Sequence, residues 1–441
     1  MKTAAFIEQV RAFCWHDQAT AETITVAMSP KGSVCRLPTF TNEFWTSKQR
    51  DAHSLHEISY RACFKPQLPR FFIDRLTEPG DVVYDPFSGR GTTPLEAALA
   101  GRRPVANDIN PLSALLLAPR LAPPTMAAVF ERLGAIDLRH ARDLPSDLLT
   151  FYHPDTHGEI CALREYLLDR TLVGALDDVD DWIRMVAVNR LTGHSPGFFS
   201  VYTLPPNQAT SVTAQRKINA ARDQVPPRRD VRTIVLKKTR ALLKDITPDR
   251  HTPLFEVEPS ADRATLSWAA ARAAIFTGPA SHTPRIPTDA VDLVVTSPPF
   301  LDIVQYKTDN WLRCWFCGII VEDVPVTTTS NLETWRTEMT RVFRELHRVL
   351  KPDGFVAFEV GEVRKGAVRL EETVIPCGIE AGLRPVLVLI NAQQFTKTAN
   401  VWGVSNNRLG TNTNRIVVFT KPSRGARGVE PPRRGETTPR T

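Results

Sequence analysis

Two short segments carry the residue types that chemistry would need. DPFSGRGTT, Asp85 to Thr93, gathers an aspartate, two glycines and two threonines. Gly89 and Gly91 let a chain turn closely against a ligand where a Cβ would intrude. A helix starting just after them would offer its free amides to that ligand. Asp108 follows at the end of the next apolar run and supplies a carboxylate suited to ribose hydroxyls. The second segment is TSPPF, Thr296 to Phe300. Its paired prolines stop strand and helix pairing and hold a stiff, extended corner. Such a corner leaves carbonyl oxygens without backbone partners; Ser297 adds a hydroxyl oxygen and Phe300 a ring face. Two acceptors, Ser297 Oγ and the Pro298 carbonyl, could grip both N–H bonds of a planar amino group. Its lone pair, otherwise delocalised into a ring, would localise and face an electrophile in line.

The surrounding pattern says how these segments are carried. Val82 to Tyr84 reads as a short strand, Thr93 to Ala100 as a helix closed by Gly101, and Pro104 to Ala106 as a second strand. That is a βαβ unit with parallel strands, the setting in which α/β sheets bind nucleotides at strand C-termini. Val291 to Val295 is a buried strand feeding TSPPF. Met339, Val342, Phe343, Leu346, Val349 and Leu350 mark one helix face, KPDG stops that helix, and GFVAFEVG is the next strand. RPVLVLINAQ and NRIVVFTK read as a final antiparallel pair at the sheet edge. Neither GxGxxG nor GxxxxGK[ST] occurs, which excludes the usual dinucleotide and P-loop phosphate cradles.

Between these halves, from about 120 to 285, no βα rhythm appears, and the stretch reads as a separate domain or large insertion. The chain's 35 prolines speak against long uninterrupted helices there. From Arg216 to Lys244 the insertion holds ten Lys or Arg against two Asp, either a solvated face or a phosphate-contacting surface. LTGHSPGFFSVYTLPPNQ upstream places Phe198, Phe199, Tyr202, Asn207 and Gln208 either as base-reading side chains or as packing onto the sheet. The stretch from Asn391 to Arg415, rich in Asn and Gln, reads as cleft lining or as a hydrogen-bonded surface loop.

Composition narrows the class. With 42% hydrophobic and 23% charged residues in 441, the chain is an ordinary globular one of two-domain length. No apolar run is long enough to span a bilayer, and Glu8, Arg11 and His16 interrupt any leader-like start, so a cytoplasmic setting is expected. Seven scattered cysteines suit reduced thiols. Cys314 and Cys317 form a CxxC without a second pair, favouring buried side chains over a metal site, and no metal is expected. The net charge of +7 permits a polyanionic partner without demonstrating one.

Together, DPFSGRGTT and SPPF resemble the DNA amino-methyltransferases, specifically the N4-cytosine type. The family's DPFxGxGTT holds S-adenosyl-L-methionine (AdoMet), and its SPP followed by an aromatic is catalytic. The resemblance therefore implies catalysis by Ser297, Pro298, Pro299 and Phe300, and cofactor binding by Asp85, Phe87, Gly89, Gly91, Thr92 and Asp108. FKPQLPRFFIDRL is similar to the family's motif X, adding Phe64, Lys65 and Pro66 to the cofactor pocket. Motif order is similar to the alpha-type arrangement. It implies an α/β, Rossmann-like class I methyltransferase sheet with an inserted target-recognition domain. The corresponding division is an N-terminal extension (1–54), a catalytic domain (55–119 and 286–420), an inserted target-recognition region (120–285) and a disordered tail (421–441).

Under that resemblance Arg216, Lys217, Arg228, Arg229, Lys237 and Lys238 contact DNA, the target base flips from the duplex onto Phe300, and a cognate restriction endonuclease is a possible partner. One departure stands out: where the family has an acidic residue in a Gly-Asp-Ala segment, this chain has Gly278, Pro279 and Ala280, so no adenine contact is assigned. Adenine-N6 enzymes more often have Asp or Asn at the position of Ser297, yet N6 transfer stays a rival, as do an RNA base substrate and an inactive DNA-binding relative. A C5-cytosine enzyme is discounted, because Pro376–Cys377 lies far beyond the catalytic strand.

Overall fold

The structure is a computed structural model that describes residues 2–28, 32–46, 52–61, 63–203, 210–246, 261–299, 306–325, 329–363, 368–392 and 413–423. Helix α1 (Lys2–Arg11) precedes the strands β1 (Ala21–Met28) and β2 (Val34–Asn42). Helix α2 (Gln67–Leu76) leads into β3 (Val82–Asp85), α3 (Thr92–Leu99), β4 (Arg103–Asp108) and α4 (Leu112–Leu121). A helical stretch follows: α5 (Met126–Ala135), α6 (Pro154–Leu172), α7 (Asp178–Val188), α8 (Val212–Ala221), α9 (Val231–Leu242) and α10 (Ala261–Ala270). The chain then returns through β5 (Ala274–Thr277), β6 (Val291–Thr296), α11 (Tyr306–Phe316), α12 (Leu332–Val349), β7 (Leu350–Val360), α13 (Leu370–Glu380), β8 (Arg384–Ala392) and β9 (Thr413–Thr420).

One nine-stranded sheet has the order β1-β2-β8-β9-β7-β6-β3-β4-β5. Strands β7, β6, β3, β4 and β5 run parallel, and β9 is inserted antiparallel between β7 and β8. This is an α/β, Rossmann-like sheet, parallel through its centre. Both faces of its centre are covered, which is why β3, β6 and β7 read as nearly continuous apolar runs. Alternate residues still point to opposite sides. Tyr84, Val294, Val356 and Phe358 pack with α12 and α13, while Val83, Leu293, Val295 and Phe355 pack with α1 and α2.

The terminal pair is antiparallel as the sequence suggested, but it is not at the edge. Strand β2 pairs in parallel with β8, and β1 closes that side, so the N-terminal segment extends the sheet. On the other side, β5 lies within the stretch read as an insertion and pairs with β4. The proline argument also needs correction. Pro154 starts the 19-residue α6 at its first turn, where a missing N–H costs nothing, and other prolines fall between helices. These helices share one core with Leu55, Ile58 and Tyr60 and with Leu95 and Ala98 of α3, so they are built onto the sheet's nucleotide-binding side.

Helix α12 follows its periodicity. Asn331 caps it by accepting the amides of Glu333 and Thr334 at 2.9 and 3.0 Å, and Met339, Val342, Phe343, Leu346 and Val349 are buried. The final segment lies outside the described residues beyond 423, as does most of the Asn- and Gln-rich stretch.

Candidate active site

Strand β3 ends at Asp85, and the chain turns immediately. Ser88 Oγ donates to the Asp85 carbonyl at 2.8 Å and the Gly91 amide to the Ser88 carbonyl at 2.6 Å, closing a tight loop before α3. Both loop glycines have positive φ, 52° at Gly89 and 79° at Gly91. A Cβ at Gly91 would lie 2.8 Å from a Leu117 methyl, so this glycine serves helix packing and does not line the pocket. Gly89 does line it, and its amide donates at 2.8 Å to Asp108 Oδ2 from the end of β4. Asp108 Oδ1 accepts the Asn110 amide at 2.9 Å, which fixes the carboxylate plane.

Strand β6 brings the second motif beside the first. Thr93 Oγ1 donates to the Val295 carbonyl at 3.0 Å, and Thr296 Oγ1 donates to Asp85 Oδ1 at 2.6 Å. The residue just before Ser297 is thus bonded to the residue that opens the glycine loop. Asp85 Oδ1 also accepts the Phe87 amide at 3.1 Å and Thr93 lies beside the carboxyl, while among the described residues no donor meets the buried Oδ2 within hydrogen-bond geometry. Burial pushes this carboxyl up to about 7, against the pull of those hydrogen bonds.

A cleft of about 1280 Å³, open solvent at its mouth included, joins the two motifs. Phe64, Asp85, Phe87, Gly89, Thr92 and Asp108 line it together with Ser297 and Pro299. Lys65, Pro66 and Pro298 are not in its wall; Pro66 is the N-cap residue of α2, and burial lowers the Lys65 ammonium. Phe300 lies outside the described residues.

Several wall residues carry no motif. Tyr60 and Cys63 come from the segment before α2, and Trp335, Glu338, Met339 and Val342 form an i, i+3, i+4, i+7 stripe on α12. Pro279, Ala280 and Ser281 enter from the end of β5, with the Gly278 amide donating to the Asp108 carbonyl at 3.0 Å. The segment matching the family's Gly-Asp-Ala therefore does reach the pocket, with proline in place of the acid.

Two further residues were not legible. Glu359, near the end of β7, is 7% exposed and accepts from Asn414 at 2.8 Å, with the Ser297 side chain as a further neighbour. Burial raises its carboxyl above the ordinary range, and these two side chains oppose the rise. Arg90, a variable position of the glycine loop, is buried and donates to the Ile58 carbonyl at 2.9 Å and the Phe64 carbonyl at 3.5 Å. It ties the segment before α2 to the loop. No sequence signal marked it, because its partners are carbonyls that any residue could supply.

The basic stretch is spread over two helices and the turn between them, and three of its ten cations are in ion pairs among the described residues. Arg216 meets Asp147 at 2.8 Å, Arg228 meets Asp155 and Glu159 at 3.2 and 3.3 Å, and Lys238 lies 3.5 Å from Glu57. Arg229 is half-buried, while Lys217 and Lys237 are exposed. In the aromatic loop Phe199 is fully buried in the helical core, and Phe198 and Tyr202 lie under the guanidinium groups of Arg190 and Arg222 at 4.1 and 3.9 Å. Packing accounts for Phe199, whereas Asn207 and Gln208 lie outside the described residues. Cys314 and Cys317 are buried free thiols, and no metal-binding cluster occurs among the described residues. No described helix is long and apolar enough to cross a membrane.

The pocket suits AdoMet on its own chemistry. An unpartnered buried carboxylate oxygen at Asp85 fits an α-ammonium, Asp108 fits a ribose diol, and apolar walls fit an adenine. The sheet and this site have the features that AdoMet binding requires. Residues 21–115 match the DNA methylase family of N6- and N4-methyltransferases, a match that begins at β1 and includes the glycine loop. Over that stretch the chain is similar to DNA methylases of the N4/N6 kind.

The Type II methyltransferase M.BsoBI of Geobacillus stearothermophilus is 21% identical over 303 residues, covering 64% of this chain and 56% of that protein. The Type II methyltransferase M.MjaII of Methanocaldococcus jannaschii is 33% identical over 69 residues, 16% of this chain and 13% of its own. The chain thus spans about half the length of one relative and a short piece of the other. Among solved structures, the DNA modification methylase TTHA0409 of Thermus thermophilus, complexed with S-adenosyl-L-methionine, is 23% identical over 34% of this chain and 53% of its own, with a TM-score of 0.20. The geranyl diphosphate C-methyltransferase of Streptomyces coelicolor A3(2) is 7% identical over 80% of this chain and 79% of its own, with a TM-score of 0.32. Overlaps of that quality bear on neither substrate nor mechanism.

Proposed function

We propose that this chain transfers the methyl group of AdoMet to the exocyclic N4 amino group of cytosine at a specific site in DNA. The observation that carries the proposal is that Ser297 and Gly89 line one cleft, although more than two hundred residues separate them in sequence. When bound, AdoMet supplies an electrophilic methyl on a sulfonium. Everything else is positioning by the chain's own groups.

Asp85 holds the cofactor's ammonium through its free carboxylate oxygen, and Asp108 accepts from the ribose. At the other end of the cleft, the Ser297 hydroxyl lies beside Glu359 and offers its oxygen lone pairs to the target amino group. The resemblance supplies the Pro298 carbonyl as the second acceptor, from a residue buried just behind the cleft wall. Held between them, the nitrogen presents its lone pair for a direct in-line transfer. One proton of the amino group would pass to solvent water as the N–methyl bond forms and the methyl–sulfur bond breaks. A base inside a duplex cannot reach a cleft of this kind, so the cytosine is flipped out, with Phe300 stacking on it.

Serine at position 297 and the resemblance of its loop to SPP followed by an aromatic favour cytosine N4 over adenine N6. The helical segment from α5 to α10 is the target-recognition region, with the exposed Lys217 and Lys237 on phosphates. A restriction endonuclease of the same sequence specificity is the natural companion of a site-specific modification enzyme. The test is incubation with labelled AdoMet and DNA, then digestion to nucleosides and mass identification of the product. N4-methyldeoxycytidine supports the proposal, and N6-methyldeoxyadenosine replaces it.

A further inference from the structure

The Ser-Pro-Pro corner has two adjacent prolyl carbonyls, and its chemistry needs one of them free while the loop as a whole stays rigid. Prolines have no N–H of their own, so nothing in the local backbone anchors such a corner from within. The anchor comes from elsewhere in the fold. Trp335, in the first turn of α12, donates its indole Nε1–H to the Pro299 carbonyl at 2.9 Å. The indole is 4% exposed, packs in the core beneath α12 and lines the same cleft as Ser297 and Gly89. A buried indole N–H requires an acceptor, and this one spends its single donor on the catalytic corner. Among the described residues, no donor meets the Pro298 carbonyl.

We infer that Trp335 is a positioning residue for methyl transfer: by claiming the Pro299 carbonyl it fixes the second prolyl peptide, and so holds Ser297 on the cleft wall, with the Pro298 peptide behind it, in one geometry. The helix that carries it is independently anchored. Asn331 caps α12, and at its far end Glu345 accepts the Thr283 amide at 2.7 Å, tying α12 to the loop after β5. The indole is thus held at both ends of its helix against a sheet that also holds Ser297. Small errors in such an alignment cost rate far more than they cost binding.

This inference rests on the methyl-transfer reading, and its test separates the two. Position 335 is replaced by 3-benzothienylalanine, in which sulfur stands where the indole N–H was and the ring outline is kept; Trp335→Phe is the simpler companion. Single-turnover methyl transfer to DNA, AdoMet affinity by calorimetry and hydrogen exchange of the wild-type Trp335 indole are measured. Transfer is expected to fall about tenfold or more with AdoMet affinity within about twofold, and the wild-type indole proton to exchange slowly. An unchanged rate, a parallel loss of rate and affinity, or a rapidly exchanging indole would each overturn the assignment. If the wild-type protein transfers no methyl to any DNA, the functional reading fails. Indole exchange then decides the contact: a fast proton overturns it, and a slow one supports the anchored corner.

Discussion

The edge of the sheet and the helical stretch from α5 to α10 treat their polar groups in opposite ways. At the edge, Asp85 keeps a buried oxygen that no donor among the described residues meets, and Asp108 is held by two backbone amides with no cation beside it. In the helices, charge is met by charge: Arg132 by Asp177 and Asp180, Arg142 by Glu165 and Asp169, Arg216 by Asp147 and Arg228 by Asp155. A group left unpaired in a buried place costs stability, and it persists where a ligand completes it. A group already paired has less to offer a ligand. The difference teaches where to look for binding. Unsatisfied polarity marks the cleft, whereas part of the Lys and Arg in α8, α9 and the turn between them is already taken up in local ion pairs.

The largest effect belongs to the corner. Ser297→Ala is expected to cut methyl transfer about a hundredfold or more while AdoMet affinity stays within about threefold, as rates and calorimetry together would show. Equal losses in both would mean that the serine serves the cofactor and that the edge is not divided as described.

Asp85 sharpens the contrast through pH. Its folded-state value of about 7 stands well above the ordinary carboxylate range, so the neutral form is favoured in the free protein. The stability this group contributes is full at low pH and is lost as pH rises through 7. Asp85→Asn should therefore raise the melting temperature of the free protein at pH 8 by several degrees, yet weaken AdoMet binding about tenfold or more. In the wild type, AdoMet affinity should climb from pH 6 to about 7.5, then fall as the ligand's α-amino group loses its proton near 7.7–8. A flat pH profile would show that the free carboxylate oxygen does not meet the ammonium.

Asp108→Ala should weaken AdoMet binding about tenfold with a smaller effect on transfer at saturating cofactor. Its partners, the amides of Gly89 and Asn110, would lose their acceptor, so thermal stability should be read alongside.

The smallest effects lie on the helices. Lys217→Ala and Lys237→Ala should each lower the salt dependence of DNA binding by about one phosphate contact, whereas Arg216→Ala and Arg228→Ala should lower it by less. The reverse order, measured from affinity against salt, would mean that the ion pairs open on DNA and that pairing in the free protein is no guide to the interface.

Much of the edge was legible because its chemistry belongs to local backbone geometry. Glycine spacing, a strand ending in aspartate and a doubled proline mean the same thing wherever they occur, and the strands beside them follow from apolar runs. The resemblance to the DNA amino-methyltransferases rested on those local features. Trp335, Glu338 and Met339 were hidden among the periodic residues of an amphipathic helix, where a wall of a pocket and a wall of a core look alike. Glu359 was hidden within a strand. Arg90 was hidden because backbone carbonyls leave no signature.

Sequence alone determined the two motifs, the βα rhythm around them and the kind of ligand that a glycine turn and a proline corner could hold, since each depends on residues close together in the chain. Only the tertiary structure decided that the N-terminal hairpin extends the sheet, that β5 belongs to it, and that Arg216, Arg228 and Lys238 of the basic run are ion-paired. It also brought Thr296 to Asp85 and Trp335 to Pro299. Those outcomes depend on which strands lie side by side and which helix covers them. Such pairings are set by burial of whole faces, and no single segment encodes its partner.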